Sequence, residues 1–101
     1  MTQQALIKLN EAQIAEQLEI HSEWVELNGQ IQRTYKFENF IQSMAFINKI
    51  ADYAEQAQHH PDMLIRYDKV TLSVSTHDAG GITSKDFDLA TKADALHPSD
   101  G

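Results

Sequence analysis

The chain has 101 residues, of which 42% are hydrophobic and 23% charged, so we expect one domain over residues 1–101 with a single core. Its net charge of −7 and its scattered Lys and Arg residues disfavour direct nucleic-acid binding, which needs clustered cations. The sequence holds no cysteine, no basic leader and no apolar run of about 18 residues, so we expect a cytoplasmic protein without disulfides, thiolate metal sites or membrane contact.

The first predicted element is an amphipathic helix over residues 9–21. Asn10 is placed as its N-cap, and Gln13 three residues later completes a capping box. Ile14 and Leu18 lie on a narrow apolar stripe, so this helix is expected to pack by one side only.

Residues 24–37 are predicted to form a β-hairpin. Asn28-Gly29 suits a two-residue turn of type I′, because both central positions of that turn need positive φ. Such a turn sets Glu26 opposite Ile31 on the apolar face, which is a poor fit for a carboxylate. We therefore expect either a bulge in the register or a Glu26 that reaches the rim.

The longest helix is predicted over residues 38–58. Its apolar residues recur at the three-to-four spacing of a core-facing stripe. The stripe comprises Phe40, Met44, Ile47, Ala51 and Ala54, widened by Ile41 and Ile50.

Residues 62–77 are predicted to form a second hairpin, followed by a loop and a last helix. Met63, Ile65 and Tyr67 are expected on the core face, opposite Val70, Leu72 and Val74. Thr83 then caps the last helix, with Asp86 at its third position. The order α-ββ-α-ββ-α predicts a two-layer α+β fold, with a four-stranded antiparallel sheet and helices on one face.

Residues 55–77 combine the groups best suited to exchange protons near neutral pH: Glu55, His59, His60 and His77. An imidazole has an ordinary pKa of about 6.5, and a nearby carboxylate tunes it. If the helix continues to His59, that residue shares a face with Glu55. Pro61 should stop the helix at about His59, so the adjacent histidines point in different directions. This arrangement suits a pocket and, nearly as well, a structural helix end.

Two further histidines lie outside this stretch and are expected to have no function. His21 falls at the end of the first helix, where we expect it to be solvated. His97 lies in the polar ending HPSDG and is expected to be inert.

Residues 10–96 resemble a known protein family. A spaced set of residues resembles the signature of the pterin-4a-carbinolamine dehydratases, as do the Trp24 hairpin and the stretch GITSKDFDLA. The set comprises Glu55, His59, His60, Pro61, Tyr67, His77 and Asp86.

The resemblance implies an enzyme that removes water from a 4a-hydroxytetrahydropterin to yield quinonoid dihydropterin. That substrate is the product of a pterin-dependent aromatic amino-acid hydroxylase, so the resemblance also implies a functional link to such an enzyme. No metal or organic cofactor is expected, because the pterin is the substrate. We further expect a homodimer or homotetramer.

The resemblance also implies roles for particular residues. His59 and His77 are expected to donate protons to the leaving hydroxyl, and His60 to bind substrate or act as a base. Glu55 would accept N–H donors of the pterin or orient His59. The residues implied to shape the pocket are Pro61, Ser75, Thr76 and Asp78. Lys85 stands where many members have Arg, which puts a bidentate contact there in doubt.

Two rival functions stay open at this point. His59, His60 and His77 with Glu55 offer donors for zinc, although adjacent histidines diverge and none has an i, i+4 histidine partner. The chain is alternatively a protein-binding module, because animal members of the family also act as dimerisation cofactors for a homeodomain transcription factor. Chelation and pull-down experiments respectively separate these rivals from the dehydratase.

Overall fold

The computed structural model describes residues 7–97, and its element order confirms the predicted α-ββ-α-ββ-α arrangement of an α+β fold. The helices are α1 (Glu11–Ile20), α2 (Phe40–Ala57) and α3 (Ser84–Leu96). The strands are β1 (Val25–Leu27), β2 (Gln30–Lys36), β3 (Asp62–Arg66) and β4 (Lys69–Val74), and a 3₁₀ turn follows at His77–Ala79. No helix within residues 7–97 is long and apolar enough to cross a membrane.

The four strands form one antiparallel sheet in the order β1-β2-β4-β3. Ile31 lies opposite Val74 and Tyr35 opposite Val70, so alternate residues of the two central strands share one face. Those residues are buried against the helices, whereas the polar residues between them face away from the core. The core therefore lies between one face of the sheet and the helix layer.

Side-chain caps start all three helices, and two of these caps confirm the predicted capping boxes. Asn10 accepts from the backbone of Gln13, whose side chain accepts from the Asn10 backbone. Thr83 and Asp86 form the equivalent box at the start of α3. Asn39 caps α2, so that helix begins at Phe40 instead of at residue 38.

The first hairpin has the predicted turn and register. Asn28 and Gly29 have φ of 55° and 79°, and Glu26 lies opposite Ile31 without a bulge. Glu26 is exposed whereas Ile31 is buried. The carboxylate is tolerated because β1 is an edge strand whose three residues are all exposed.

The predicted apolar stripe of α2 is partly wrong. Phe40 and Ile41 are exposed, the latter at 75%, and the core face is rotated away from them. The ring of Phe46 sets this orientation, because it packs 4.8 Å from the ring of Tyr35 and 5.1 Å from that of Phe37. The buried face comprises Ser43, Phe46, Ile47, Ile50 and Ala54.

Tyr67 was expected on the core face of the second hairpin, and this expectation is wrong. β3 ends at Arg66, and Tyr67 takes the first position of a two-residue turn with φ of 57° and 64% exposure. The next residue, Asp68, accepts a 2.8 Å bond from Lys36, which holds the pKa of the Asp68 carboxyl below its usual value. Pairing of Arg66 with Lys69 leaves no place for Tyr67 in the strand.

The two histidines expected to be solvated or inert are both packed. His97 is buried, its Nε2 lies 3.0 Å from the Lys36 carbonyl, and its ring lies 4.9 Å from that of Tyr35. His21 is half-buried and bonds the hydroxyl of Thr91 at 2.9 Å. An imidazole combines an apolar ring with polar atoms, so at a helix end it can pack against the core while its nitrogens form hydrogen bonds.

Candidate active site

The second hairpin brings the two histidine-bearing segments together. Asp62 at the start of β3 lies opposite Ser73 near the end of β4. The chain that enters β3, residues 59–61, therefore runs beside the chain that leaves β4, residues 75–77. β4 stops at Val74, so the hairpin predicted over residues 62–77 ends three residues before His77.

A tight turn after α2 positions His59. Gln58 adopts the left-handed conformation with φ of 54°, and the His59 amide donates to the Ala54 carbonyl at 3.0 Å, as in a Schellman motif. The helix thus ends at Ala57, two residues before His59. The condition for a shared helical face of Glu55 and His59 is therefore not met, because the left-handed residue redirects the chain between them.

His59 is buried and bound to a buried carboxylate. The residue is only 8% exposed, and its Nε2 lies 2.5 Å from Oδ1 of Asp86, which is 0% exposed. Asp86 also closes the capping box of α3. One carboxylate therefore caps a helix and holds the imidazole.

Three further hydrogen bonds surround Asp86. Its Oδ2 accepts from the Thr83 amide at 2.8 Å and from the Thr76 hydroxyl at 2.9 Å. The hydroxyls of Thr76 and Thr83 lie 2.7 Å apart. Burial of a carboxylate is costly unless such donors satisfy it, and here they come from two elements of the fold.

The second ring nitrogen of His59, Nδ1, reaches the surface. Among the described residues, no buried side-chain nitrogen or oxygen lacks a hydrogen-bond partner, and Nδ1 has no partner there. Nδ1 is therefore accessible to solvent although most of the ring is buried. An imidazole held in this way can exchange a proton with a molecule bound at the surface.

His60 pairs with Glu55 in a more exposed setting. The Nε2 of His60 lies 2.6 Å from Oε2 of Glu55, and both side chains are exposed. Glu55 thus contacts His60, and the alternative in which it orients His59 is wrong. The reversal of the chain at Gln58 sends the His59 ring into the protein and leaves the His60 ring outside.

His77 begins the 3₁₀ turn after β4 and its side chain is exposed. It follows Thr76, whose hydroxyl binds Asp86, and Asp86 in turn binds His59. Gly80 closes the turn with φ of 79°, and an isolated bridge joins Thr76 to Gly81. His77 therefore lies one residue from the buried network that holds His59.

The residues expected to shape a pocket have unequal exposure. Pro61 and Thr76 are buried, Ser75 is half-buried and Asp78 is exposed. Thr76 directs its hydroxyl to Asp86. Within residues 7–97 no three His, Asp or Glu side chains are arranged to hold a metal ion.

The sequence identifies Asp86 as a helix-capping residue. It does not reveal that Asp86 binds His59, or that the Thr83 hydroxyl contacts Thr76 beside it. The Thr-x-x-Asp spacing of the capping box is visible in the sequence. The partner 27 residues away is not, because it depends on where the turn at Gln58 directs the ring.

Comparisons with known proteins are consistent across sequence and structure. Residues 7–96 match the family model described as pterin 4 alpha carbinolamine dehydratase. A relative from Picosynechococcus sp., which carries that enzyme's name provisionally, is 49% identical over 89 residues, covering 88% of this chain and 97% of the relative. A relative from Chloroflexus aurantiacus with the same provisional name is 48% identical over 89 residues, covering 88% and 96%.

Two solved structures share the fold. The transcriptional coactivator/pterin dehydratase from Brucella melitensis superposes with a TM-score of 0.87 at 30% identity, covering 90% of this chain and 99% of its own. A pterin dehydratase-like RuBisCO assembly factor of the alpha-carboxysome has a TM-score of 0.62 at 19% identity, covering 75% and 88%, which shows the fold alone. From the family model and these relatives, the chain belongs to the pterin 4 alpha carbinolamine dehydratase family.

Proposed function

We propose that this protein dehydrates a 4a-hydroxytetrahydropterin to quinonoid dihydropterin by acid-base catalysis at His59, His60 and His77. Family membership supports the reaction, and the names of the relatives supply the substrate class. The observation that carries the mechanism is the anchored imidazole of His59, which is bound to buried Asp86 while Nδ1 reaches the surface.

The reaction needs two proton transfers and no change of oxidation state. A general acid protonates the hydroxyl on the bridgehead carbon, the C–O bond breaks, and one water leaves. The lone pair of the adjacent ring nitrogen forms the new C=N bond, and the N–H proton passes to a base. Each such acid or base role typically contributes about 10² to 10⁴ in rate. The proposed reaction therefore needs no metal or organic cofactor.

The three histidines have distinct surroundings that suit different roles. His59 is rigidly held and gives proton transfer a defined direction. His77 is exposed on the neighbouring turn and is our second proton donor. His60, paired with Glu55, is our base or binding group. We propose that Pro61, Ser75 and Asp78 help to shape the pocket in which the substrate binds.

Stopped-flow decay of a synthetic carbinolamine tests the proposal. We expect His59→Ala and His77→Ala each to lower turnover at least about tenfold, because each removes a proton-transfer group. His21→Ala is the matched control, since it removes a half-buried histidine that bonds Thr91 and makes no hydrogen bond to His59 or Asp86. Circular dichroism should show the same fold in all variants.

Undiminished turnover in the double His59→Ala, His77→Ala variant would remove the catalytic assignment. Activity lost on chelation, with about one equivalent of zinc in the purified protein, would favour the metal alternative. Partner capture that is independent of the histidines, in a protein without dehydratase activity, would favour the binding module.

We also propose that the protein works in the cytoplasm as a homodimer or homotetramer. Its substrate would come from a reaction that inserts oxygen into an aromatic amino acid and leaves the pterin hydroxylated. Light scattering of the purified chain tests the oligomer, and a monomer would contradict it.

A further inference from the structure

The hydrogen bonds around Asp86 have a single consistent direction. The Thr83 amide can only donate, so Oδ2 of Asp86 is an acceptor. The Thr76 hydroxyl also donates to Oδ2, and its one proton is then used. In the 2.7 Å contact between the two hydroxyls, Thr83 must therefore donate to Thr76. The oxygen of Thr83 in turn accepts from the Lys85 amide at 3.2 Å.

This direction determines which ring nitrogen of His59 carries the proton in the neutral ring. An Asp86 carboxylate that accepts at both oxygens requires a donor at its 2.5 Å contact with His59 Nε2. The neutral ring is therefore protonated at Nε2, and Nδ1 holds the lone pair. Nδ1 is also the ring nitrogen that reaches the surface.

We propose that Thr76 and Thr83 are positioning residues which, through Asp86, hold His59 as the Nε2–H tautomer, so that Nδ1 exchanges the proton with the substrate. The naming of a substrate rests on the dehydratase function proposed above. We therefore assign Thr76 a positioning role instead of a contact with substrate, because the residue is only 4% exposed and its hydroxyl donates to buried Asp86.

The side chains of this network are buried, so each depends on the others for its hydrogen-bond partners. They belong to His59, Thr76, Thr83 and Asp86. Asp86 and Thr83 are fully buried, and a buried carboxylate keeps its charge only while donors surround it. Loss of the Thr83 hydroxyl removes the donor to the Thr76 oxygen, which weakens the bond from Thr76 to Asp86 because hydrogen bonds in a chain strengthen one another. Asp86 would then be held less firmly in the orientation that selects the His59 tautomer.

The Asp86→Asn variant tests the tautomer directly. Its amide oxygen should face the Thr83 amide and the Thr76 hydroxyl, which leaves its NH₂ group facing His59 Nε2. The ring must then accept at Nε2 and carry its proton at Nδ1. Long-range ¹H–¹⁵N correlation spectra of histidine-labelled protein at about pH 8.5, two units above the ordinary imidazole pKa, distinguish the tautomers.

We expect Nε2–H in the wild type, Nδ1–H in Asp86→Asn, and a fall in kcat of at least about a hundredfold in the variant. His59→Gln identifies the resonance. A wild-type ring protonated at Nδ1, or an Asp86→Asn ring that keeps Nε2–H, would overturn the proposal.

Thr83→Val and Thr83→Ser provide a second test. Valine removes the hydroxyl at nearly constant volume, so we expect mixed tautomers at His59 and a kcat lowered about tenfold, with KM within about twofold. Serine restores the hydroxyl and should restore both readouts. Asn39→Ala is the control, because it removes the side-chain cap at the start of α2, the end of that helix remote from His59. A Thr83→Val protein with wild-type tautomer and kcat would refute the positioning role.

The two proposals fail in distinguishable ways. If the wild type holds Nε2–H but does not turn over the carbinolamine, the dehydratase function is wrong, and with it the assignment of Nδ1 as the reacting atom. If turnover is normal and the tautomer is Nδ1–H, the dehydratase stands and the positioning network is wrong.

Discussion

Two neighbouring histidines in this site have opposite surroundings. His59 is bound to a buried carboxylate, whereas His60 pairs with Glu55 where both side chains are exposed. An exposed ion pair contributes only about 0 to 1 kcal/mol to stability, because solvent screens the charges and two side chains must be ordered. A role for Glu55 should therefore be visible in catalysis and not in folding.

Glu55→Gln tests that expectation at the residue scale. We expect turnover to fall about tenfold, since the variant replaces the carboxylate that contacts His60 Nε2 at 2.6 Å. The free energy of unfolding should change by less than about 1 kcal/mol in urea denaturation. Asp52→Asn is the control, because it removes another exposed carboxylate of α2. Unchanged turnover in Glu55→Gln would make Glu55 a surface residue without a catalytic role.

Among the elements of the fold, the turn that ends α2 has the largest influence on the direction of the His59 ring. Gln58 takes a left-handed conformation that glycine usually occupies at this position. Its side chain compensates in part by a 2.8 Å bond to the Glu55 carbonyl. This single residue decides that His59 turns into the protein.

Gln58→Val should be destabilising and should displace His59. A β-branched residue disfavours the left-handed region, so we expect the free energy of unfolding to fall by about 1 to 2 kcal/mol, with lower turnover. Gln58→Gly is the matched control. Its free energy of unfolding should be no more than a few tenths of a kcal/mol below that of the wild type, because glycine readily adopts the left-handed conformation. Urea denaturation measures both variants. A Val variant as stable as the Gly variant would contradict this account.

At the scale of the whole molecule, Asp94 joins the helix layer to the sheet. It accepts from Arg33 at 2.7 Å, from the Trp24 indole at 3.1 Å and from the Tyr35 hydroxyl. The Arg33 side chain is only 12% exposed, and its guanidinium lies 4.2 Å from the centre of the Tyr35 ring. Arg33, one of the scattered cations of the sequence, is therefore largely covered and packs against the core residue Tyr35.

Asp94→Ala should lower the free energy of unfolding by about 3 kcal/mol, because it leaves the partly buried Arg33 charge unpaired. Asp88→Ala removes an exposed carboxylate of the same helix and should cost less than about 1 kcal/mol. Thermal and urea denaturation compare the two. Equal losses would show that Asp94 is not a specific link between the layers.

Local chemistry explains why so much of the fold was predictable. The capping boxes at Asn10 and Thr83 and the Asn28-Gly29 turn depend on residues at most three apart. Each can therefore be predicted from neighbouring residues in the sequence. The predicted core face of α2 and the predicted burial of Tyr67 were wrong, because both features depend on residues that are distant in the sequence. The ring of Phe46 needs Tyr35, and Tyr67 is displaced by the pairing of β3 with β4.

The site divides in the same way. The amino-acid sequence is sufficient to identify the acid-base residues Glu55, His59, His60 and His77, their spacing and the α+β order of the elements. The pairing of His59 with Asp86 and of His60 with Glu55 is visible only in the folded chain. The reason is physical: a ring's partner depends on which way a left-handed residue turns the chain and on which donors are buried nearby, and neither is encoded within one element.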